Sequence, residues 1–273
     1  MPRSTEKFQL VTYRKRFKNI EKDSSNVVSS LTEQFEEIEI DCKSLLRKVL
    51  DAELDFNNSP VKSTILNGLS DALSSLSARS ISEIICYGLG QFSQSRCSKY
   101  QLALLLTIKA DYNCPIFVYD PLFYKKEIQV LETLGFNVID RNEEGKREVK
   151  NKATLLFMPH CSKQLTNNLL FKNWGVTLNN CIFLSNSFLD IVENNAAKNL
   201  TNSAEYILRI HPYVTEISLD NNFEYDDIFN GLNIHFFTEE NLSKVPIDFW
   251  NLRDEPCYQK DAEFIINTEG KSG

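Results

Sequence analysis

Three histidines occur in 273 residues, and one of them, His160, stands directly before Cys161 where the apolar run TLLFM (154–158) breaks at Pro159. An imidazole beside a thiol admits three kinds of chemistry. A nucleophile pair needs the two side chains converging and a third group orienting the base, which sequence neighbours rarely achieve. A zinc site needs four ligands, and His211 and His235 come with no supporting cysteine spacing. A haem site can use either residue as axial ligand, although the chain has no CxxCH attachment motif. The alternative without chemistry is that His160 caps the next helix or bonds loop backbone while Cys161 packs.

Four other short segments carry polar residues of the same kind. Gly88-Leu-Gly90-Gln-Phe-Ser93 resembles a nucleotide-binding loop, in which glycines permit a tight turn and close approach of phosphate or adenosyl groups; here Ser93 replaces the third glycine. A lone GxG is also a common strand-to-helix turn. Asp120 ends an apolar run where dinucleotide folds place the acid that binds ribose hydroxyls, but Asp120-Pro121 is equally an ordinary turn. In Asn142-Glu143-Glu144-Gly145 the two adjacent carboxylates cannot readily share one face as an acid/base pair, so the segment reads as a solvated loop, with a loop whose shape matters as the alternative. Asn186-Ser187 close a later apolar run. These residues form a candidate ligand site for haem, S-adenosylmethionine or a nucleotide; no residue is assigned as catalytic and none as a metal ligand.

The elements that must position them begin at residue 80. EIICYGLG, PIFVYD, FNVID, ATLLFM and CIFLSN read as strands, alternating with helical patterns at KYQLALLLTIKADY, LFYKKEIQVLETLG, residues 162–173 and SFLDIVENNA. Fully apolar strands are covered on both faces, which marks a mostly parallel α/β sheet. A Rossmann-like, doubly wound sheet of order 3-2-1-4-5 is expected. VTEISL and NIHFF are candidates to extend it antiparallel at one edge. Ligands of such sheets bind outside the strand carboxyl ends where strand order reverses, here between strands 1 and 4. Each polar segment follows a strand, so all should share that rim, with His160-Cys161 facing the Gly88 loop.

With 42% hydrophobic and 25% charged residues the chain can bury a sizeable core. No apolar run approaches the roughly 18 residues of a membrane span, and the start lacks a signal-peptide core, so an intracellular, non-membrane protein is expected. The seven cysteines are scattered without CxxC spacing and read as reduced thiols, Cys86, Cys114 and Cys181 buried. The net charge of −7 is uneven: residues 1–22 hold seven Lys/Arg against Glu6 and Glu21, leaving −12 elsewhere. An acidic body with a basic arm is unlike a duplex-binding surface. Arg14-Lys15-Arg16-Phe17-Lys18 reads as an import signal, an interaction tail or simply a solvated terminus. Four regions are expected: a disordered basic arm (1–30), a helical segment (31–58), an α/β domain (59–250) and a polar tail (251–273). In the second, a helix over 32–55 would present Leu45, Leu46, Val49 and Leu50; the next would start with Ser59 as N-cap and Pro60 at its first position.

In order along the chain, IICYGLGQFSQSRCSKYQLALLL, VYDPLF, LETLGFNVIDRNEEGKR, TLLFMPHC, NNLLFKNW and LSNSF resemble the domain of the Sensitivity to Red Light Reduced (SRR1-like) family, over roughly residues 80–190, with a weaker echo in FNGLNIHFF. The combination of NEEG, MPHC and NSF is specific where each alone is not. The resemblance implies a cytoplasmic and nuclear regulatory protein of circadian-clock input, with animal relatives linked to regulation of haem biosynthesis. It brings no established enzymatic activity and no catalytic residue. Protein partners or a small molecule are expected, with an S-adenosylmethionine- or nucleotide-dependent enzyme as the alternative.

Overall fold

The computed structural model describes residues 40–150 and 152–258. The basic arm, residues 32–39 of the expected first helix and residues 259–273 of the tail lie outside the described residues. Helix α1 runs Cys42–Asn57 because Asp41, in extended backbone, caps it: its carboxylate accepts the Lys43 and Ser44 amides, both at 3.1 Å. Within the described residues, the helix read over 32–55 runs from Cys42. Its buried side is Leu45, Val49, Ala52 and Phe56, while Leu50, expected on that side, is 45% exposed. Helix α2 (Pro60–Ser75) starts with Pro60 as expected, but the Ser59 hydroxyl turns back to Phe56 O at 2.6 Å instead of capping.

The sheet comprises β1 (Glu83–Tyr87), β2 (Ile116–Tyr119), β3 (Asn137–Val138), β4 (Thr154–Met158), β5 (Cys181–Asn186), β6 (Thr215–Ser218) and β7 (Leu232–Phe236), in the order β3-β2-β1-β4-β5-β7-β6. The first five strands are parallel, and β7 runs antiparallel to both β5 and β6, so the expected edge extension is present. Every residue of β4 is buried, which is why its sequence shows no alternation. β3 is shorter than FNVID suggested: only Asn137 and Val138 pair with β2.

The connecting helices are α3 (Arg96–Tyr112), α4 (Lys125–Thr133), α5 (Lys163–Lys172), α6 (Phe188–Glu193), α7 (Ala197–Ser203), α8 (Glu205–Ile210), α9 (Asp226–Phe229) and α10 (Glu239–Ser243). α3 buries ten residues and is covered on its outer side by α1, so the N-terminal helix is packed into the α/β layers. A core against β1, β4 and β5 gathers Trp174, Tyr206, Phe183, Phe188 and Phe237. The start of the polar tail is tied down there: Arg253 donates to Trp174 O at 2.7 Å, and Tyr258 Oη bonds Asn167 and Asn168 of α5. All seven cysteines are unpaired, with Cys86, Cys114 and Cys181 buried. Among the described residues no helix is long and apolar enough to cross a membrane.

Candidate functional site

The carboxyl ends of the parallel strands form one rim, and bonds join the loops that leave it. After β1, Gly88 and Gly90 adopt φ of +68° and +77°, a region costly for any residue with a Cβ. Space also demands glycine: a Cβ on Gly88 would meet Cys161 Sγ at 2.5 Å, and one on Gly90 would meet Ser98 Oγ at 2.7 Å. After β2, Asp120 accepts the Gly90 amide at 2.7 Å and the Leu122 amide at 2.8 Å, one on each oxygen. Both carboxylate oxygens thus organise the β1 and β2 turns. Burial pushes the Asp120 pKa up against the pull of those two amides.

His160 and Cys161 part company at the backbone. His160 is exposed and has φ +54°, a left-handed conformation in which histidine is one of the better tolerated side chains. Its Nε2 lies 3.0 Å from Ile228 O; a carbonyl only accepts, so Nε2 carries the proton and Nδ1 is the basic nitrogen. Cys161 turns inward, donating to Tyr87 O at 3.1 Å beneath Gly88, while its own carbonyl accepts Asn186 Nδ2 at 2.9 Å. Burial first, then the neighbouring Asp120 charge, raise the thiol well above its ordinary range. The neutral thiol occupies the β1–β4 gap, so neither a thiolate nucleophile nor a Cys161-ligated haem fits this geometry.

The NEEG loop reaches the same place through Tyr87, whose hydroxyl donates to Glu143 Oε2 at 2.9 Å; Arg147 Nη1 donates to the same oxygen at 3.0 Å while lying 4.8 Å over the Phe117 ring. Asn142 Oδ1 accepts the Glu144 amide at 2.8 Å, and Asn168 Nδ2 donates to Glu144 O at 2.7 Å. The segment is thus not the solvated loop expected: Glu143 is held by Tyr87 and Arg147, the Glu144 carboxylate pairs with Lys146, and Gly145 is buried. Ser187 Oγ caps α6 through the Asp190 amide. Ser93 gives its amide to Glu127 Oε1 at 2.7 Å.

A cover over this rim was not legible in the sequence. The β6–β7 connection, residues 219–231, leaves and rejoins the sheet at the carboxyl edge, because Asn186 pairs with Leu232 and Ser218 with Asn233. It carries α9 back onto α3, buries Ile228 and Phe229, and sets Ile228 O on His160. The connection holds Asp220, Glu224, Asp226 and Asp227 and no base. Asp227 pairs with Arg96 of α3 at 3.4 Å, so acids face the helix end that would attract a phosphate. This does not fit a nucleotide phosphate.

Two further features escaped the sequence reading. Glu127 is fully buried, its carboxylate shared between the Ser93 amide and the Tyr124 amide at 2.9 Å, and burial raises its pKa. An acid three residues after Tyr124 at a helix start was the available signal. His235, fully buried and stacked on Phe188 at 4.1 Å, accepts the Phe188 amide on Nε2 at 3.2 Å, with Glu216 Oε2 3.4 Å from the same nitrogen. Burial raises Glu216, but His235, Ser187 and Asn233 outweigh it and bring its pKa down to about 2. Only the β5–β7–β6 pairing brings these residues together.

Among the described residues no three His, Cys, Asp or Glu side chains gather to hold a metal ion. Two open clefts among the described residues are one of ≈ 290 Å³ beside Glu148, Lys150, Lys172 and Trp174, near the strand amino ends, and one of ≈ 450 Å³ beside Asp55, Tyr100 and Tyr225. Neither is lined by Gly88, His160 or Cys161.

The family model described as SRR1 domain matches residues 31–236, from before α1 to the end of β7. The chain belongs to the SRR1 domain family. This SRR1-domain chain is 34% identical to the SRR1-like protein of Mus musculus over 207 residues, 64% of this chain and 83% of that one. Its identity to the SRR1-like protein of Drosophila melanogaster is 29% over 191 residues, 69% of this chain and 67% of that one. To the Arabidopsis thaliana protein Sensitivity to Red Light Reduced 1 it is 27% over 171 residues, 60% and 62% of the two chains. Among solved structures, the plantazolicin methyltransferase BpumL in complex with SAH and a desmethylPZN analog matches with a TM-score of 0.32 at 12% identity, over 72% of this chain and 98% of that one.

Proposed function

We propose that this SRR1-domain chain is a non-enzymatic regulatory protein, acting in the cytoplasm and nucleus through a partner or ligand held on the rim of the strand carboxyl ends. The observation that carries this reading is the state of the switch point. Cys161 occupies the β1–β4 gap and Ile228 bonds His160 above it, so the rim offers a shaped surface with an exposed imidazole instead of a crevice. The setting we propose, circadian-clock input and control of haem biosynthesis, comes from the family resemblance; the Arabidopsis relative is named for reduced sensitivity to red light, which supports a role in light signalling. Protein partners fit this surface better than duplex nucleic acid, since the cover is acidic.

The exposed His160 imidazole favours one other reading, an S-adenosylmethionine-dependent enzyme; a nucleotide-dependent one is disfavoured by the acidic cover. A thermal-shift screen of the full chain against haem, S-adenosylmethionine, ATP and NAD separates the two. The regulatory reading expects no shift with S-adenosylmethionine or the nucleotides, and any haem shift to vanish in His160→Ala. Saturable stabilisation by S-adenosylmethionine or a nucleotide, lost in a variant altered at Gly90, would overturn it.

A further inference from the structure

The β6–β7 connection also borders the larger cavity. With the turn between α1 and α2 it walls a space of ≈ 450 Å³ beside Asp55, Ser59, Tyr100, Phe223, Glu224 and Tyr225, a size typical of sites for small organic ligands. Its chemistry is one-sided. Three rings stand together, with centroids 5.2 Å apart for Tyr100–Phe223, 5.5 Å for Tyr100–Tyr225 and 5.7 Å for Phe223–Tyr225. Two carboxylates, Asp55 and Glu224, share the lining with them, and no Lys, Arg or His does. Among the described residues neither acid is paired with a Lys or Arg. Asp55 Oδ2 accepts the Tyr100 hydroxyl at 3.1 Å, and burial, then Asp55, push that phenol upward. The nearest base is Arg96, whose guanidinium lies 4.2 Å from the Tyr225 centroid and covers one face of that ring.

We propose that this cleft binds an organic cation, an alkylammonium or guanidinium group whose apolar body lies against the rings and whose charge faces Asp55 and Glu224. Aromatic faces are electronegative, and weakly hydrated cations gain most from them because they lose least water. A phosphate or carboxylate ligand is disfavoured by the same two acids. The site stands apart from the rim reading and is independent of it.

The test is a calorimetric titration of the full chain with tetramethylammonium chloride against its neutral isostere, tert-butanol, at matched ionic strength. Saturable binding of the cation, at least about tenfold tighter than the alcohol, is the expected result. Asp55→Asn keeps an oxygen for Tyr100 Oη while removing the charge, and Tyr225→Leu removes a partly exposed ring; each should weaken binding about tenfold with an unchanged circular dichroism spectrum. Spermidine and a short peptide carrying trimethyllysine then distinguish a free amine from a protein side chain as the source. Equal binding of tert-butanol, no saturable binding of any of these cations, or unaltered affinity in both variants would overturn the proposal.

Discussion

Cys161 Sγ lies 2.5 Å from where a Cβ on Gly88 would stand, and it donates to Tyr87 O at 3.1 Å. A side chain from the end of β4 thereby closes the gap beside the end of β1, and the glycine is needed for that closure as well as for its turn. Gly88→Ala should cost about 1–3 kcal/mol, from overpacking together with an unfavourable φ. Urea denaturation of a double-mutant cycle with Cys161→Ala checks it: the double variant should recover the packing part and leave the backbone part. Strict additivity would mean that the thiol and Gly88 are not in contact.

His160 holds a left-handed backbone conformation at φ +54°. His160→Gly should therefore be more stable than His160→Ala by about 1 kcal/mol, because both lose the same bond to Ile228 O but only alanine retains the strain. Thermal melts of the two variants under one buffer provide the comparison. An alanine variant at least as stable as the glycine variant would contradict this backbone assignment.

The Tyr87 hydroxyl anchors Glu143, and through it the NEEG loop, to the end of β1. Tyr87→Phe should lower stability by about 1 kcal/mol while leaving the ring's packing in place. Amide exchange should quicken in residues 142–147 more than elsewhere on the rim. Uniform acceleration over the whole sheet would instead show that the phenol supports the core at large.

Acid stability should carry the signature of Glu216. Its folded pKa of about 2 lies below the ordinary 4.5, so the carboxylate contributes stability that is complete above pH 4.5 and is lost as the pH falls towards 2. Asp120 and Glu127 act in the opposite sense, since burial raises them and the fold gains as they take up protons. Glu216→Gln should be less stable at neutral pH and show a flatter loss between pH 4.5 and 2, read from urea midpoints across that range. An unchanged acid limb would show that the pair with His235 contributes nothing there.

The order of strands and helices was legible in the sequence because it is a local property. Continuous apolar runs such as TLLFM exist only where both faces of a strand are covered, and the break at Pro159 marks the strand end. Parallel strands then send every following loop to one edge, which is why the order of elements alone puts Gly88, Asp120, Asn142, His160 and Asn186 on one rim. The family was legible in the order of NEEG, MPHC and NSF. What the tertiary structure alone decided is how each of those residues is engaged. The covering carbonyl of Ile228 is 68 positions from His160, and the acid that braces Ser93 is 34 positions away at Glu127. No periodicity or spacing reports such pairs, because they arise from packing α9 on α3 and the α4 start against the β1 loop. The inward turn of Cys161 depends on one backbone angle at His160, and the buried His235–Glu216 pair depends on β7 lying between β5 and β6. Composition sets what a residue can do; long-range contacts decide which of its atoms are already taken.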